Sequence, residues 1–445
     1  MKVGFVSLGC PKNLVDSEVM MGLLDREGHR LTARPEDADV IVVNTCGFID
    51  TAKQESIDSI LEMAEYKKNG KCRKLIVTGC LVERYRTELV REIPEVDAVL
   101  GTNEIPRIVE ACQTTNGAVR QKNLEATPTG YLYSDDTPRL VSTARYTAYI
   151  KIAEGCDHVC AFCMIPKMRG VFRSRPIESI VREAKRLAGQ GTKEITLISQ
   201  DTTNYGADIG LRDGLPKLLE RLSQVRDIEW IRFLYNYPNT VTDALLEVVA
   251  GAPTICKYFD IPFQHASGRV LAAMRRGGNR SFLTRLVEKI RAKIPNVTMR
   301  TSMIVGFPGE AEADFEELLD FCKEIEFDRL GVFTYSDEEG SPAHTLAHKV
   351  SQRAKTQRRN QLLRQQAKIS LAKNRQLVGR RLRVLVEGPS PETELLLSGR
   401  LESQAPEIDG AVLINDSAVD DVTVGDFRTV QITEAHEYDL IGKVV

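Results

Sequence analysis

No apolar run in the 445-residue chain approaches the length needed to cross a membrane as a helix. Nor is a signal peptide expected: Met1-Lys2-Val3-Gly4-Phe5-Val6 leads straight into an alternating strand pattern. Charge of one sign is also missing. With a formal net charge of −2 and 42% apolar residues, no global field announces a nucleic-acid partner. Ten cysteines without a secretion signal argue against a disulfide framework and for thiolates held for metal or redox work in a reducing compartment. The expectation is a cytoplasmic protein with no membrane partner. Its length exceeds what one ordinary core organises, so two or three domains are expected.

The most informative absence is a fourth cysteine. Glu154-Gly155-Cys156-Asp157-His158-Val159-Cys160-Ala161-Phe162-Cys163 places three cysteines in a C-x₃-C-x₂-C spacing, and the next one is Cys256. The stretch follows the apolar run Ala148-Tyr149-Ile150-Lys151-Ile152, which puts the thiolates on a loop at a strand end. Three ligands on a cubane leave one iron without a protein ligand, and a small chelating molecule can bind there. Structural zinc is the blander alternative. It normally takes four protein ligands, and His158 is too close in sequence to complete a tetrahedron comfortably. Three buried thiols within eight residues are equally hard to explain as packing. The motif, with Phe162 before the last cysteine, resembles the radical S-adenosylmethionine (SAM) superfamily. That resemblance implies SAM chelated to the open iron.

The first hundred residues alternate strand and helix. Val3–Leu8, Val40–Val43 and Leu75–Val77 read as strands, with helical patterns over Ser17–Arg26 and Gln54–Tyr66 closed by Gly28 and Gly70. This is the pattern of a parallel α/β sheet. Each strand ends in a cysteine: Cys10, Cys46 and Cys80. Strand ends share one edge of a parallel sheet, so the three thiols should converge into a second cluster site. One or two cysteines in buried strands would mean nothing. Cys72, Cys112, Cys256 and Cys322 lack that position and read as incidental.

Residues 114–143 are rich in turn chemistry and read as a linker that carries a hairpin. From 144 the alternation resumes. Strands are expected at Thr147–Ile152, Glu194–Ser199, Glu229–Leu234, Tyr258–Pro262, Val297–Ile304 and Arg329–Thr334, with helices between them. Six βα units suggest a partial (β/α)₆ barrel with ligands at the C-terminal strand ends. Gln200, Gly306 and Pro308 follow such strands and are candidates for a SAM pocket, although the glycine equally suits a tight βα turn.

Ser351 to Arg375 carries eight Lys or Arg and no acid. A solvated helix face is the ordinary explanation, and a contact with ribosomal RNA phosphate is the sharper one. From 376 onward short β-rich segments (Leu382–Val386, Glu394–Ser398, Val412–Ile414, Phe427–Ile432) suggest a small antiparallel barrel. It resembles the TRAM domain that ends several RNA-modifying radical SAM enzymes. Six basic residues there face thirteen acidic ones, including Glu392, Glu394, Asp420 and Asp421. Such a charge repels phosphate and suits a basic partner such as a small ribosomal protein.

An α/β chain of this layout resembles the methylthiotransferase family over essentially its full length: an N-terminal domain (1–113), a linker (114–143), a radical SAM partial barrel with a basic helix (144–375) and a TRAM-like barrel (376–445). Leu8–Glu18, Gln200–Thr203, Pro262–Ser267 and Gly331–Ser336 read as the branch that acts on the β-carbon of an aspartate in the twelfth small-subunit ribosomal protein. The sibling branch, acting on an adenosine in tRNA, is the alternative. The resemblance implies two 4Fe-4S clusters, on Cys156, Cys160 and Cys163 and on Cys10, Cys46 and Cys80. It also implies SAM, an electron donor and a sulfur source. A non-enzymatic electron carrier and a ribosome-binding module with structural clusters are the other readings. Carriers usually close their clusters with four ligands.

Overall fold

The structure, a computed structural model, describes residues 1–113, 130–415 and 422–445. It opens with β1 (Lys2–Ser7), α1 (Pro11–Arg26), β2 (Arg30–Thr32), β3 (Val40–Thr45), α2 (Asp50–Asn69), β4 (Lys74–Gly79), α3 (Cys80–Glu92) and β5 (Val96–Leu100). The five strands are parallel in the order β2-β1-β3-β4-β5. β3 and β4 are buried at every position, as strands covered on both faces must be. Val40 and Val42 face Val15, Val19 and Met20 of α1, while Ile41 and Val43 face Ile60 and Met63 of α2 and Leu81 of α3. Two of these strands escape the sequence pattern. β2 is a three-residue edge strand with polar ends, and Asp97 interrupts the apolar run of β5.

Residues 130–143 do more than connect. Tyr133 is buried with its hydroxyl 3.2 Å from Glu183, and Arg139 pairs with both Glu18 and Glu183. This stretch contains no strand, and the expected hairpin otherwise falls on residues 114–129, outside the described residues.

Six parallel strands follow: β6 (Thr147–Lys151), β7 (Glu194–Ile198), β8 (Trp230–Phe233), β9 (Tyr258–Asp260), β10 (Thr298–Val305) and β11 (Arg329–Thr334). They pair as β6-β7-β8 and β9-β10-β11, and a bridge between Ile231 and Ile255 joins the two halves. Alternate residues (Ile195, Leu197, Ile231, Phe233, Phe259, Met299) pack outward against the helices. Glu194, Thr196, Arg232, Asp260 and Arg300 take the other face. β6 and β11 do not pair, so the barrel is open between them.

The N-terminal domain spans that opening. Asp16 of α1 holds Lys151 of β6, while Lys53 of α2 and Arg84 of α3 hold Glu338 beyond β11.

The long helix α4 (Gln352–Arg375) lies against β11 and accounts for part of its own charge. Lys355 donates to the carbonyl of Tyr335, Arg358 pairs with Glu310 and Lys373 with Asp328. Arg353, Arg359, Arg364, Lys368 and Arg375 stay exposed.

The C-terminal strands β12 (Arg381–Pro389), β13 (Leu397–Leu401), β14 (Val412–Ile414), β15 (Phe427–Ala435) and β16 (Leu440–Val444) close into a barrel. Its β14–β16 pairing is parallel, a departure from the all-antiparallel expectation, and β16 itself carried no clear sequence signal. The barrel sits on the starts of β7–β9. Leu385, Ala405 and Phe427 pack with Trp230 and Tyr258, and Arg400 joins Arg232 on the buried Glu194. The cysteine loops lie at the opposite, C-terminal ends of the strands.

Candidate active site

The order of the first sheet reverses between β1 and β3, which makes the crevice beyond their C-terminal ends a topological switch point. Cys10 follows β1, Cys46 follows β3 and Cys80 follows β4, so the three thiols sit at adjacent strand ends. Glycines let the loops approach. A Cβ on Gly9 would stand 2.8 Å from Cβ of Cys46, and one on Gly47 would stand 2.9 Å from the backbone of Cys80. The Asn13 side chain pins the three loops from within α1. Its Nδ2 donates to the carbonyls of Leu8 and Thr45 at 3.0 and 2.9 Å, and its Oδ1 lies 3.7 Å from Cys80 Sγ.

The second triad is equally built. Cys156 N donates to Gly170 O at 3.1 Å, Cys163 N donates to Cys160 O at 3.1 Å, and Ala161 ties to Met274 and Ala343 through its backbone. Arg276 Nη1 reaches Cys160 Sγ at 3.5 Å. His158 Nε2 lies 2.6 Å from Asp201, and its ring stacks on Tyr237 with centroids 3.8 Å apart. All six cysteines are free thiols. Burial pushes the thiols of Cys80 and Cys163 up to about 12 and that of Cys156 up to about 11, and raises that of Cys46. They remain protonated until a cation arrives, so loading releases protons.

The two triads meet at one seam. Cys80 packs against Met164 and Met168 on the short helix that directly follows Cys163. Arg169, fully buried, bonds Asn13 and Asp16 of α1 and Glu154 of the second loop. Lys151 pairs with the same two carboxylates. Asn13, Asp16, Lys151 and Arg169 escaped the sequence reading. Asn13 and Asp16 lie within the stretch beginning at Leu8, but polarity alone does not distinguish a buried pin from a solvated helix face.

Of the candidate SAM-pocket residues, Gln200 donates to Glu154 at 2.7 Å, and its buried Oε1 has no partner among the described residues. Gly306 gives its N–H to Glu310 at 2.6 Å, and a Cβ there would meet Lys355 at 2.3 Å, which fits a tight turn. Pro308 is buried one residue beyond Phe307, which packs with Ala161 of the second cysteine loop. Among the described residues, neither the donor nor the acceptor of the Asn236 side-chain amide, on the same rim, finds a partner. Cys72, Cys112, Cys256 and Cys322 are buried away from both triads in apolar cores or under the C-terminal barrel.

Two sets of three soft donors on preformed loops suit iron–sulfur clusters. Among the described residues no group of three or more His, Cys, Asp or Glu side chains closes to the spacing of a single ion. A cubane is wider than one ion and needs thiols that are neighbours without converging on a point.

Residues 2–101 match the uncharacterized protein family UPF0004, residues 150–322 the radical SAM superfamily and residues 378–445 the TRAM domain. The fold resembles that of the radical S-adenosylmethionine methyltransferase TsrM from Kitasatospora setae, with a TM-score of 0.56 over 89% of this chain and 80% of that one; identity is 14%, so the likeness concerns the fold alone. Full-length relatives are much nearer. A ribosomal protein uS12 methylthiotransferase RimO from Solibacter usitatus (strain Ellin6076) is 56% identical, covering 100% of this chain and 95% of the relative. Its counterpart from Koribacter versatilis (strain Ellin345) is 52% identical over 100% of this chain and 96% of its own. At such identity along its whole length, this chain belongs to the ribosomal protein uS12 methylthiotransferase RimO family.

Proposed function

We propose that this protein transfers a methylthio group to the β-carbon of an aspartate in ribosomal protein uS12. It would hold one 4Fe-4S cluster on Cys156, Cys160 and Cys163 and another on Cys10, Cys46 and Cys80. The observation that carries the reading is the meeting of two separate three-thiol loops at one seam. Bound there, the clusters and SAM supply hydrogen-atom abstraction from an unactivated carbon and delivery of sulfur and methyl, which no side chain can do alone.

The chain's own residues do the rest. The six thiols bind as thiolates, giving up their protons. Asn13 and Arg169 fix the first triad against the second, so one substrate side chain can address both. The buried seam of Asp16, Lys151, Glu154 and Arg169 keeps bulk water away from the reacting carbon. Gln200, with an unspent acceptor beside the second loop, is a contact for SAM, and Gly306 and Pro308 shape the turn across from it. An electron donor and a sulfur source complete the cycle, in the cytoplasm where ribosomes assemble. The exposed cations of α4 suit a contact with ribosomal RNA. No helix among the described residues is long and apolar enough to cross a membrane.

Mass spectrometry of small-subunit proteins from cells with and without this gene tests the reading. The expected result is methylthiolated uS12 only where the gene is present. Unmodified uS12 together with gene-dependent methylthiolation of a tRNA adenosine would transfer the activity to the sibling branch.

A further inference from the structure

The cations that join α1 to the barrel at the seam, Lys151, Arg169 and Arg139, are paired with carboxylates, whereas, among the described residues, Lys12 beside Cys10 is not. Lys151 and Arg169 share Asp16 and Glu154, and Arg139 holds Glu18 and Glu183. Lys12 is buried to 7% exposure, yet among the described residues no carboxylate lies within the 4.0 Å of an ion pair. Its ammonium carries three donors, and the structure gives it one long hydrogen bond, 3.3 Å to the carbonyl of Ser199 at the end of β7. Its other contact is the face of Tyr235, whose ring centroid is 3.2 Å away. An ammonium taken out of water normally recovers a full set of acceptors.

The platform beneath it is built at a cost. Tyr235 has φ +64°, a left-handed conformation that a bulky aromatic residue rarely adopts. Hydrogen bonds hold it there from both sides: its N–H donates to Asp260 Oδ2 at 3.0 Å, and its carbonyl accepts from Thr202 at 2.9 Å. Strain that persists because the surroundings fix it points to a functional position. Independently, the rim formed by the ends of β7 and β8 holds buried polar atoms with nothing to bond. Besides Gln200 Oε1, already given to SAM, they are both amide atoms of Asn236, next to Tyr235, which have no partner among the described residues. A peptide bringing one anionic group and backbone donors and acceptors would satisfy Lys12 and Asn236 together.

Resting on the proposed function above, we infer that Lys12 receives the carboxylate of the target aspartate and makes this enzyme select an acidic side chain. Lys12 stands two residues from Cys10 and reaches the barrel rim, so a carboxylate held on it sits at the seam of the two triads. The adjacent β-carbon is thereby presented to the chemistry, and a neutral isostere leaves the ammonium unpaired. A charge-assisted bond in a dry site discriminates strongly against the analogue that lacks the charge.

The test uses full-length protein with both clusters reconstituted and two synthetic peptides of the uS12 target loop, one with Asp and one with Asn at the target position. Wild type should bind the Asp peptide at least tenfold more tightly. In Lys12→Gln carrying wild-type iron, the preference should collapse toward one, KM for the Asp peptide should rise more than kcat falls, and Lys12→Arg should restore most of the preference. Should Lys12→Gln fail to take up iron, Lys12→Met is the second neutral variant, since its unbranched side chain has a similar length and shape. Equal binding of the two peptides by wild type overturns the inference. So does an unaltered preference in a neutral variant, including one whose electron paramagnetic resonance spectrum changes, because Lys12 would then serve cluster charge. Failure of wild type to modify uS12 at all would instead overturn the proposed function.

Discussion

Asn13 is the residue on which the first triad turns. Its amide is spent on two carbonyls from different loops, and its oxygen faces both Arg169 and Cys80. Asn13→Ala strands the carbonyls of Leu8 and Thr45 and removes a partner of a buried guanidinium, at a cost of about 1–3 kcal/mol. More specifically, it should reduce iron bound by the first triad while sparing the second. The reference points are the triple variants. Reconstituted wild type should carry about eight irons per chain, and replacing Cys156, Cys160 and Cys163, or Cys10, Cys46 and Cys80, by Ala should leave about half. The first triple variant should form no 5′-deoxyadenosine from SAM and dithionite, whereas the second should form it without inserting sulfur. Full iron in either triple variant would refute the ligand assignment, and full iron in Asn13→Ala would reduce that residue to packing.

At the scale of elements, the stretch 130–143 locks α1 to helix Ile177–Gly189, because its Arg139 bridges Glu18 of α1 and Glu183 of that helix. Glu183 is buried at 0% and accepts from Arg139 and Arg175 at 2.6 Å each, with the Tyr133 hydroxyl nearby. Burial pushes its carboxyl up, but the two guanidiniums pull it down further, and the net direction is below the usual 4.5. A depressed folded pKa gives stability that is present above the unfolded value and lost as pH falls from there through the folded value. The melting temperature of the wild type should therefore fall as pH drops below about 4.5. Glu183→Gln removes the share of that dependence that Glu183 carries and leaves the Arg175 guanidinium without its carboxylate, while Arg139 keeps Glu18, for a loss of about 3–5 kcal/mol at neutral pH. A wild-type melting temperature in Glu183→Gln would show that the network contributes nothing.

For the whole molecule, the position of the C-terminal barrel changes how substrate choice can be tested. It covers the starts of β7–β9, and Arg400 reaches into the partial barrel to meet Glu194. Deleting it would expose Trp230 and Tyr258 and strip a partner from a buried carboxylate, so truncation reports on folding as much as on recognition. Surface reversal is cleaner. Glu392 and Glu394 are exposed on the β12–β13 connection, whereas Asp409 is already spent on Tyr258 and Glu387 on Arg400; Asp420 and Asp421 lie outside the described residues. Reversing Glu392 and Glu394 to Lys should weaken binding of uS12, most at low ionic strength where screening is least. Unchanged affinity at low salt would mean that the acidic barrel plays no part in choosing a protein over RNA.

The sequence by itself determined what depends on neighbours along the chain. The C-x₃-C-x₂-C loop, the βα alternation and the position of Cys10, Cys46 and Cys80 after apolar runs are local patterns, and from them the two-triad layout was legible. The resemblance over the full length named the chemistry. Tertiary structure decided what depends on partners far apart in sequence. Lys151 meets Asp16 across 135 residues and Arg169 meets Asn13 across 156, pairings that no periodicity encodes. The edge strand β2 and the parallel partner β16 exist because a neighbouring strand offers its free edge, not because their own residues demand it. The same holds for charge. The eight cations of α4 read as one basic face, and folding spends Lys355, Arg358 and Lys373 on internal acceptors. Lys12 shows the converse: a lysine in an N-terminal helical turn is ordinarily solvated, and only packing of α1 against the barrel rim buries it without a counter-charge.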